Sequence, residues 1–301
     1  MHNYQNNYAC EYRAMLDELR TFVLLAEEGS IQRVAERLPL TQPAVTRQIQ
    51  RLESVLNLEL LDRRQKPPRL TPAGVEVLSR SRDILAAYAD LLALGKRTEP
   101  DGLLRIGVAN GLADDRFAAV ISDIRRRFPR VSLRLMTGWS QDLSEKLRRG
   151  FLDAAVLLAG EKGYAGSTTI GLERLAVVGP DRPADFGFDI TDPDTLAWVL
   201  SPEPCEARQM LAAATSARPL KISAEVQDAR MQFALVRQGM GLSVMPERLF
   251  EAERPEGIVM VKVPWLNLVL NIQLQRAPHL HRLEIVVDAI AEGLRGDRAP
   301  T

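Results

Sequence analysis

Residues 38–51 read Leu-Pro-Leu-Thr-Gln-Pro-Ala-Val-Thr-Arg-Gln-Ile-Gln-Arg, and this order of caps, apolar and polar positions constrains the fold more than any other segment. Thr41 offers a hydroxyl to the first free amides of a helix, and Val45, Ile49, Leu52 and Leu56 recur at the spacing of one buried stripe. The opposite side carries Pro43, Thr46, Arg47, Gln50 and Ser54, with Gln42 and Arg51 at its margins. Amide and guanidinium groups of this kind reach base edges and phosphates, so the helix suits a major groove.

Two helices precede it, one with Leu19, Phe22, Val23 and Ala26 on an apolar stripe and one with Ile31, Val34, Ala35 and Leu38. Gly29 ends the first in a left-handed conformation, Ser30 caps the second, and Pro39-Leu40 turns the chain before Thr41. The pattern is a helix-turn-helix. Residues 57–70 add two short apolar runs around a basic, proline-containing tip, as in a hairpin wing whose Arg63, Arg64, Lys66 and Arg69 face phosphate.

Residues 17–72 resemble the winged helix-turn-helix of LysR-type transcriptional regulators, and the remainder is similar to that family's effector domain. The resemblance rests on Gly29-Ser30, Ala35-Glu36-Arg37-Leu38, residues 41–49, Leu52-Glu53 and Leu70-Thr71-Pro72-Ala73-Gly74, in order and spacing. Two positions depart from the pattern: Asn57 stands where glycine is usual, and Leu60-Leu61 replaces Leu-Phe. Asparagine tolerates the left-handed conformation, so the turn is kept. The resemblance implies that Gln42, Pro43, Ala44, Thr46 and Arg47 read bases, with Gln50 and Arg51 beside them. It likewise implies that Ser30, Gln32, Arg33, Arg64 and Lys66 hold phosphate.

The 301 residues carry 39 basic and 39 acidic side chains, and 46% are hydrophobic, so two or three cores are within reach. Neutrality hides a local excess: residues 31–70 hold eight basic against four acidic side chains. So small a patch points to binding through shape and a pair of subunits rather than bulk charge. No run approaches about 18 apolar residues and no export signal stands at the start, so neither membrane nor secretion is indicated and the expected location is cytoplasmic. Residues 1–15 are expected to be a loose extension. Cys10 and Cys205 form no metal spacing; structural or incidental roles and a peroxide-sensing pair are the two readings.

Thr71-Pro72 begins a long helix to Leu94, with Leu78, Ser81, Leu85, Tyr88 and Leu92 on one stripe and Val77, Ile84 and Leu91 on another. That much apolar surface needs a cover, either this chain's own domains or, as the resemblance implies, the same helix of a second subunit. Family precedent extends this to a homotetramer and to contact with RNA polymerase.

Beyond a hinge at Gly95–Gly102 the order becomes strand, helix, strand, helix, strand over residues 103–158, which predicts a parallel sheet. Strands follow near 174–178, 197–200, 222–226, 241–245 and 266–274, with helices at 205–215, 228–238 and 278–294. The expected fold is α/β: a winged helix-turn-helix over 16–72, a linker helix over 73–99, and a two-lobed effector domain of periplasmic-binding-protein type over 100–301. Lobe I is expected at about 103–160 and 268–301 and lobe II at about 161–267, with crossings near Ala159-Gly160 and residues 263–270.

In such sheets a ligand lies beyond the carboxyl ends of the strands. Candidates there are Ala109, Asn110, Gly111, Trp139 and Ser140 on one side and Ser201, Pro202, Glu203 and Gln227 on the other. Ser140 is expected to cap a helix start that attracts anions, and each of these residues also has a plain reading as a cap or turn. Glu203 disfavours a purely anionic effector unless Arg208 offsets it, so a zwitterion fits better. Trp139, Met136 and Trp198 are either an apolar wall or core. An enzyme reading finds no glycine-rich phosphate loop, no zinc spacing and no histidine between His2 and His279. No cofactor or metal is expected beyond an unidentified small-molecule effector.

Overall fold

The computed structural model describes residues 2–65, 67–93, 99–182, 185, 187–215, 219–278 and 280–295. Lys66, His279 and the first half of the expected hinge, residues 95–98, lie outside them, as does the side chain of Cys10. The chain divides into two compact units: Met1–Glu99 with Arg148–Asp153 and Ala277–Arg282, and Pro100–Leu147 with Ala154–Arg276 and Leu283–Thr301.

The first unit holds α1 (His2–Glu28), α2 (Ile31–Arg37), α3 (Gln42–Leu56), a hairpin of β1 (Leu61–Asp62) and β2 (Arg69–Leu70), and α4 (Pro72–Ala93). The expected loose extension is instead helical from His2, because no glycine or proline interrupts the hydrogen-bond ladder before Gly29. Gly29 then closes α1 at φ +62°, where a side chain would be strained. The Ser30 hydroxyl accepts from the Arg33 amide, and Thr41 accepts from Ala44 at 3.3 Å. At the far end of α3, Asn57 adopts the left-handed conformation at φ 53°.

Phe22 of α1, Val34 of α2, Val45 and Leu52 of α3, Leu60 just before β1 and Leu78 of α4 are fully enclosed in one cluster. Each contributes about 1.5–3 kcal/mol over an exposed position. Leu56 departs from the expected stripe, since it is 38% exposed. It lies in the last turn of α3, where the chain swings away at Asn57 toward the wing.

The second unit is built on β3 (Gly102–Ala109), β4 (Val131–Gly138), β5 (Ala154–Ala159), β6 (Ser167–Pro180), β7 (Ala197–Leu200), β8 (Lys221–Glu225), β9 (Ser243–Pro246), β10 (Ile258–Met260) and β11 (Val269–Arg276). Its helices are α5 (Asp115–Arg127), α6 (Ser140–Arg148), α7 (Glu206–Ala214), α8 (Ala229–Arg237), α9 (Glu247–Glu253) and α10 (Glu284–Arg295). One sheet runs in the order β10-β6-β11-β5-β3-β4, with β9 also on β6, and β7 pairs β8 apart from it.

This sheet is mixed rather than parallel. β3 is parallel to β4 and β5, as the alternation predicts, but β11 inserts between β5 and β6 antiparallel to both. A strand arriving from the far end of the chain carries no mark of its direction in its own alternation. The expected first crossing at Ala159-Gly160 is also corrected. β6 itself crosses, pairing β11 through Arg174 and then β9 and β10 from Leu175 to Pro180. The last helix starts at Glu284, after a 3-10 turn at His281–Leu283.

A buried charge cluster stands beside that partner change. Arg248 of α9 grips Asp114 through two bonds of 2.6 and 2.8 Å, and its amide donates to Glu173 of β6 at 3.4 Å. Asp114 meanwhile caps α5 by accepting from Phe117. Burial raises the Glu173 carboxyl to about 7 although the Arg248 charge opposes the shift.

A carboxyl whose folded value lies above its unfolded one favours folding most below the unfolded value, here 4.5, and loses that contribution as pH rises through about 7. Urea unfolding midpoints should therefore fall between about pH 5 and 7 more steeply in the native chain than in Glu173→Gln. Parallel profiles would remove Glu173 as the group responsible.

Candidate functional site

The exposed face of α3 carries Gln42, Pro43, Arg47, Gln50, Arg51 and Ser54, while Ala44 and Thr46 are half-buried. Val45, Ile49 and Leu52 on the other side are buried, which fixes the rotation of the helix and hence the direction of the polar face. Thr46 donates its hydroxyl to the Gln42 carbonyl at 3.0 Å. Arg51 is less free than its exposure suggests: its Nε stands 3.2 Å from the carboxylate of buried Glu18. Burial raises the Glu18 carboxyl and the Arg51 charge opposes this.

On α2, Ser30 spends its oxygen on the cap, Gln32 bonds Glu36, and Arg33 lies 4.0 Å from Glu28. In the wing, Arg64 is almost wholly exposed and bonds Asp62 at 3.0 Å. Glu53 of α3 ties the wing to the recognition helix, accepting from the amides of Leu60 and Leu61 while pairing with Arg63. Sequence reading assigned Glu53 no such role, since its amide partners lie seven and eight residues on.

In the second unit a cavity of about 450 Å3 opens where β3, β4 and β7 end and where α6, α7 and α8 begin. Ala109, Asn110, Gly111, Trp139 and Ser140 line one wall, and Ser201 and Gln227 stand among its other lining residues. Pro202 and Glu203 do not line it. Glu203 is exposed, accepts from the Cys205 amide and Gln209, and pairs with Arg208 at 3.3 Å. The carboxylates in the wall are instead Glu206, the first residue of α7, and Asp228, the cap of α8.

Ser140 also differs from expectation. It is the first residue inside α6 and 1% exposed, and its hydroxyl oxygen accepts from the Leu158 amide of β5 at 3.0 Å. The Trp139 carbonyl, one residue earlier, accepts the first helical bond. Of the possible apolar wall, Trp139 lines the cavity, whereas Trp198 is buried core and Met136 is exposed on β4.

Tyr164, Glu206 and Gln232 are further polar groups that sequence reading left unassigned. Tyr164 donates to Glu206 at 2.6 Å, and Gln232 donates to the Ser201 hydroxyl at 2.8 Å. Desolvation raises both the Tyr164 phenol and the Glu206 carboxyl. Cys205, also in the wall, is buried and its thiol is pushed up by that burial, which favours the inert protonated form.

Residues 16–75 match the model of the bacterial regulatory helix-turn-helix protein, lysR family, and residues 97–294 match the LysR substrate binding domain. The chain belongs to the LysR family. Among its relatives is the transcriptional regulator BenM of Acinetobacter baylyi, 28% identical over 243 residues that cover 77% of this chain and 80% of BenM.

The LysR architecture recurs in solved structures. Full-length OxyR of Pseudomonas aeruginosa, solved as a cysteine-to-aspartate variant, aligns over 92% of this chain and 97% of its own, with TM-score 0.73 and 22% identity. Full-length CbnR, solved in complex with target DNA, aligns over 92% and 99% with TM-score 0.54 and 22% identity. As a LysR-type regulator the chain joins a DNA-binding helix-turn-helix to a small-molecule-binding domain. Among the described residues, no helix is long and apolar enough to cross a membrane.

Proposed function

We propose that α3 reads promoter DNA through Gln42, Pro43, Ala44, Thr46 and Arg47, flanked by Gln50 and Arg51. Ser30, Gln32, Arg33 and Arg64, together with Lys66, hold the phosphates. The supporting observation is the clean division of α3 into a buried stripe and an exposed amide-and-guanidinium face. Occupation of the cavity by an effector then favours one arrangement of the α/β unit and so alters how paired reading heads sit on two half-sites. Asn110, Trp139, Ser140, Ser201 and Gln227, with the backbone at Ala109 and Gly111, are the contacts.

Pairing runs through α4, whose Ile84, Leu91 and Leu92 are exposed apolar residues. A second copy covers them, two such dimers form a tetramer, and the assembly works in the cytoplasm beside RNA polymerase. No catalytic step belongs to this reading.

Arg47→Ala tests the reading helix. On duplexes selected from random sequence by the native protein, affinity should fall by about 1–3 kcal/mol with relaxed preference at one base pair. Arg64→Ala should weaken all sequences alike and reduce the salt slope by about 1. Unchanged affinity after Arg47→Ala, measured by gel shift, would sink the assignment.

A further inference from the structure

The residues that line the cavity set the charge of what it can hold. Among the described lining residues the only ionisable carboxylates or bases are Glu206 and Asp228, and no lysine, arginine or histidine is present. The nearest guanidinium on α7, that of Arg208, is committed elsewhere: it bonds Glu225 at 2.8 Å, Glu203 at 3.3 Å and the Ser201 carbonyl at 3.2 Å.

The two carboxylates are not equivalent. Asp228 spends one oxygen as the cap of α8, accepting from the Met231 amide at 2.8 Å. Glu206 is met by the Tyr164 hydroxyl at 2.6 Å, a neutral donor, and among the described residues no lysine, arginine or histidine lines the cavity beside it. A carboxylate withdrawn from water into such a wall is stabilised by a cation placed against it, and a second anion there would meet repulsion. Leu158, Val244, Met245, Leu249 and Leu270 add an apolar portion to the wall, beside the neutral polar groups of Asn110, Ser201, Gln227 and Gln232.

Resting on the effector reading above, we infer that the cavity selects a small organic amine, its ammonium or guanidinium group against Glu206 and its carbon skeleton on the apolar wall. A simple carboxylic acid is expected to bind more weakly than the amine of the same skeleton, even with the starts of three helices at the cavity. Any carboxylate the ligand carries must be accompanied by the amine.

Matched pairs test the charge directly: benzylamine against benzoate and butylamine against butyrate, with agmatine and L-arginine as guanidinium probes, titrated into the full chain by calorimetry and thermal shift. At least one amine should bind saturably and more tightly than the carboxylate of the same skeleton. Glu206→Gln keeps an acceptor for Tyr164, and should weaken that amine by about tenfold or more without lowering the melting temperature of the free protein. Ala229→Trp, which fills the cavity, should abolish binding.

Three results would overturn the inference. Carboxylate binding at least as tight as the amine's that Ala229→Trp abolishes refutes the amine class and leaves the cavity as the effector site. Amine binding that Ala229→Trp leaves intact places the ligand elsewhere and refutes both. No saturable shift with any amine refutes the charge assignment, and promoter DNA then reports separately whether the cavity-filled variant has lost regulation.

Discussion

Arg248→Leu is expected to destabilise the α/β unit by about 3–5 kcal/mol, the largest single effect on the chain's stability. The guanidinium is buried, and its removal leaves Asp114 and Glu173 facing the space it occupied with no cation between them. Both side chains are only 9% exposed, so water cannot take over the solvation. Neutralising the carboxylates as well should restore much of the loss: Asp114→Asn keeps the cap on α5, Glu173→Gln keeps an acceptor for the Arg248 amide, and a leucine then meets no charge. The comparison is made by urea unfolding of the single and triple variants. A single-variant loss below about 1 kcal/mol would mean that the pair behaves like a surface ion pair, contrary to its burial.

The second large effect concerns a glycine. In an ordinary helix Gly→Ala is favourable by about 1 kcal/mol, but Gly74 lies in the first turn of α4 against the wing. An added Cβ would stand 2.2 Å from the Leu60 carbonyl oxygen. That oxygen cannot retreat freely, because it accepts from the Thr71 amide at 3.0 Å, while the Thr71 hydroxyl donates to Glu59 at 2.6 Å and caps Gly74 at 2.9 Å. Gly74→Ala should therefore cost about 1–3 kcal/mol net by forcing α4 away from the wing, and should weaken DNA binding in step with the wing's displacement. A variant as stable as the native chain would show that the seam has slack.

What could be read in advance follows from the range of the interactions. Ser30, Thr41, Thr71, Gly29 and Asn57 act on amides within a few residues, so their chemistry is written beside them. The buried and exposed faces of α3 follow from spacing alone, with Leu56 lost only because the helix ends there.

The failures share a longer reach. Glu203 and Glu206 are separated by under one helical turn, yet one pairs with Arg208 and the other takes a bond from Tyr164, 42 residues away in sequence. Ser140 resembles a cap locally but is drawn inward by the Leu158 amide of a different strand. Asp114, Glu173 and Arg248 are brought together from three elements, and nothing in any one of them announces the other two.

The division of labour along β6 limits how such a domain can be altered. Because a single unbroken strand serves both groups of partners, neither portion can be cut out and exchanged like a cassette without leaving the other with a missing rib. None of the described residues lining the cavity belongs to this strand, so substitutions in the wall leave it untouched.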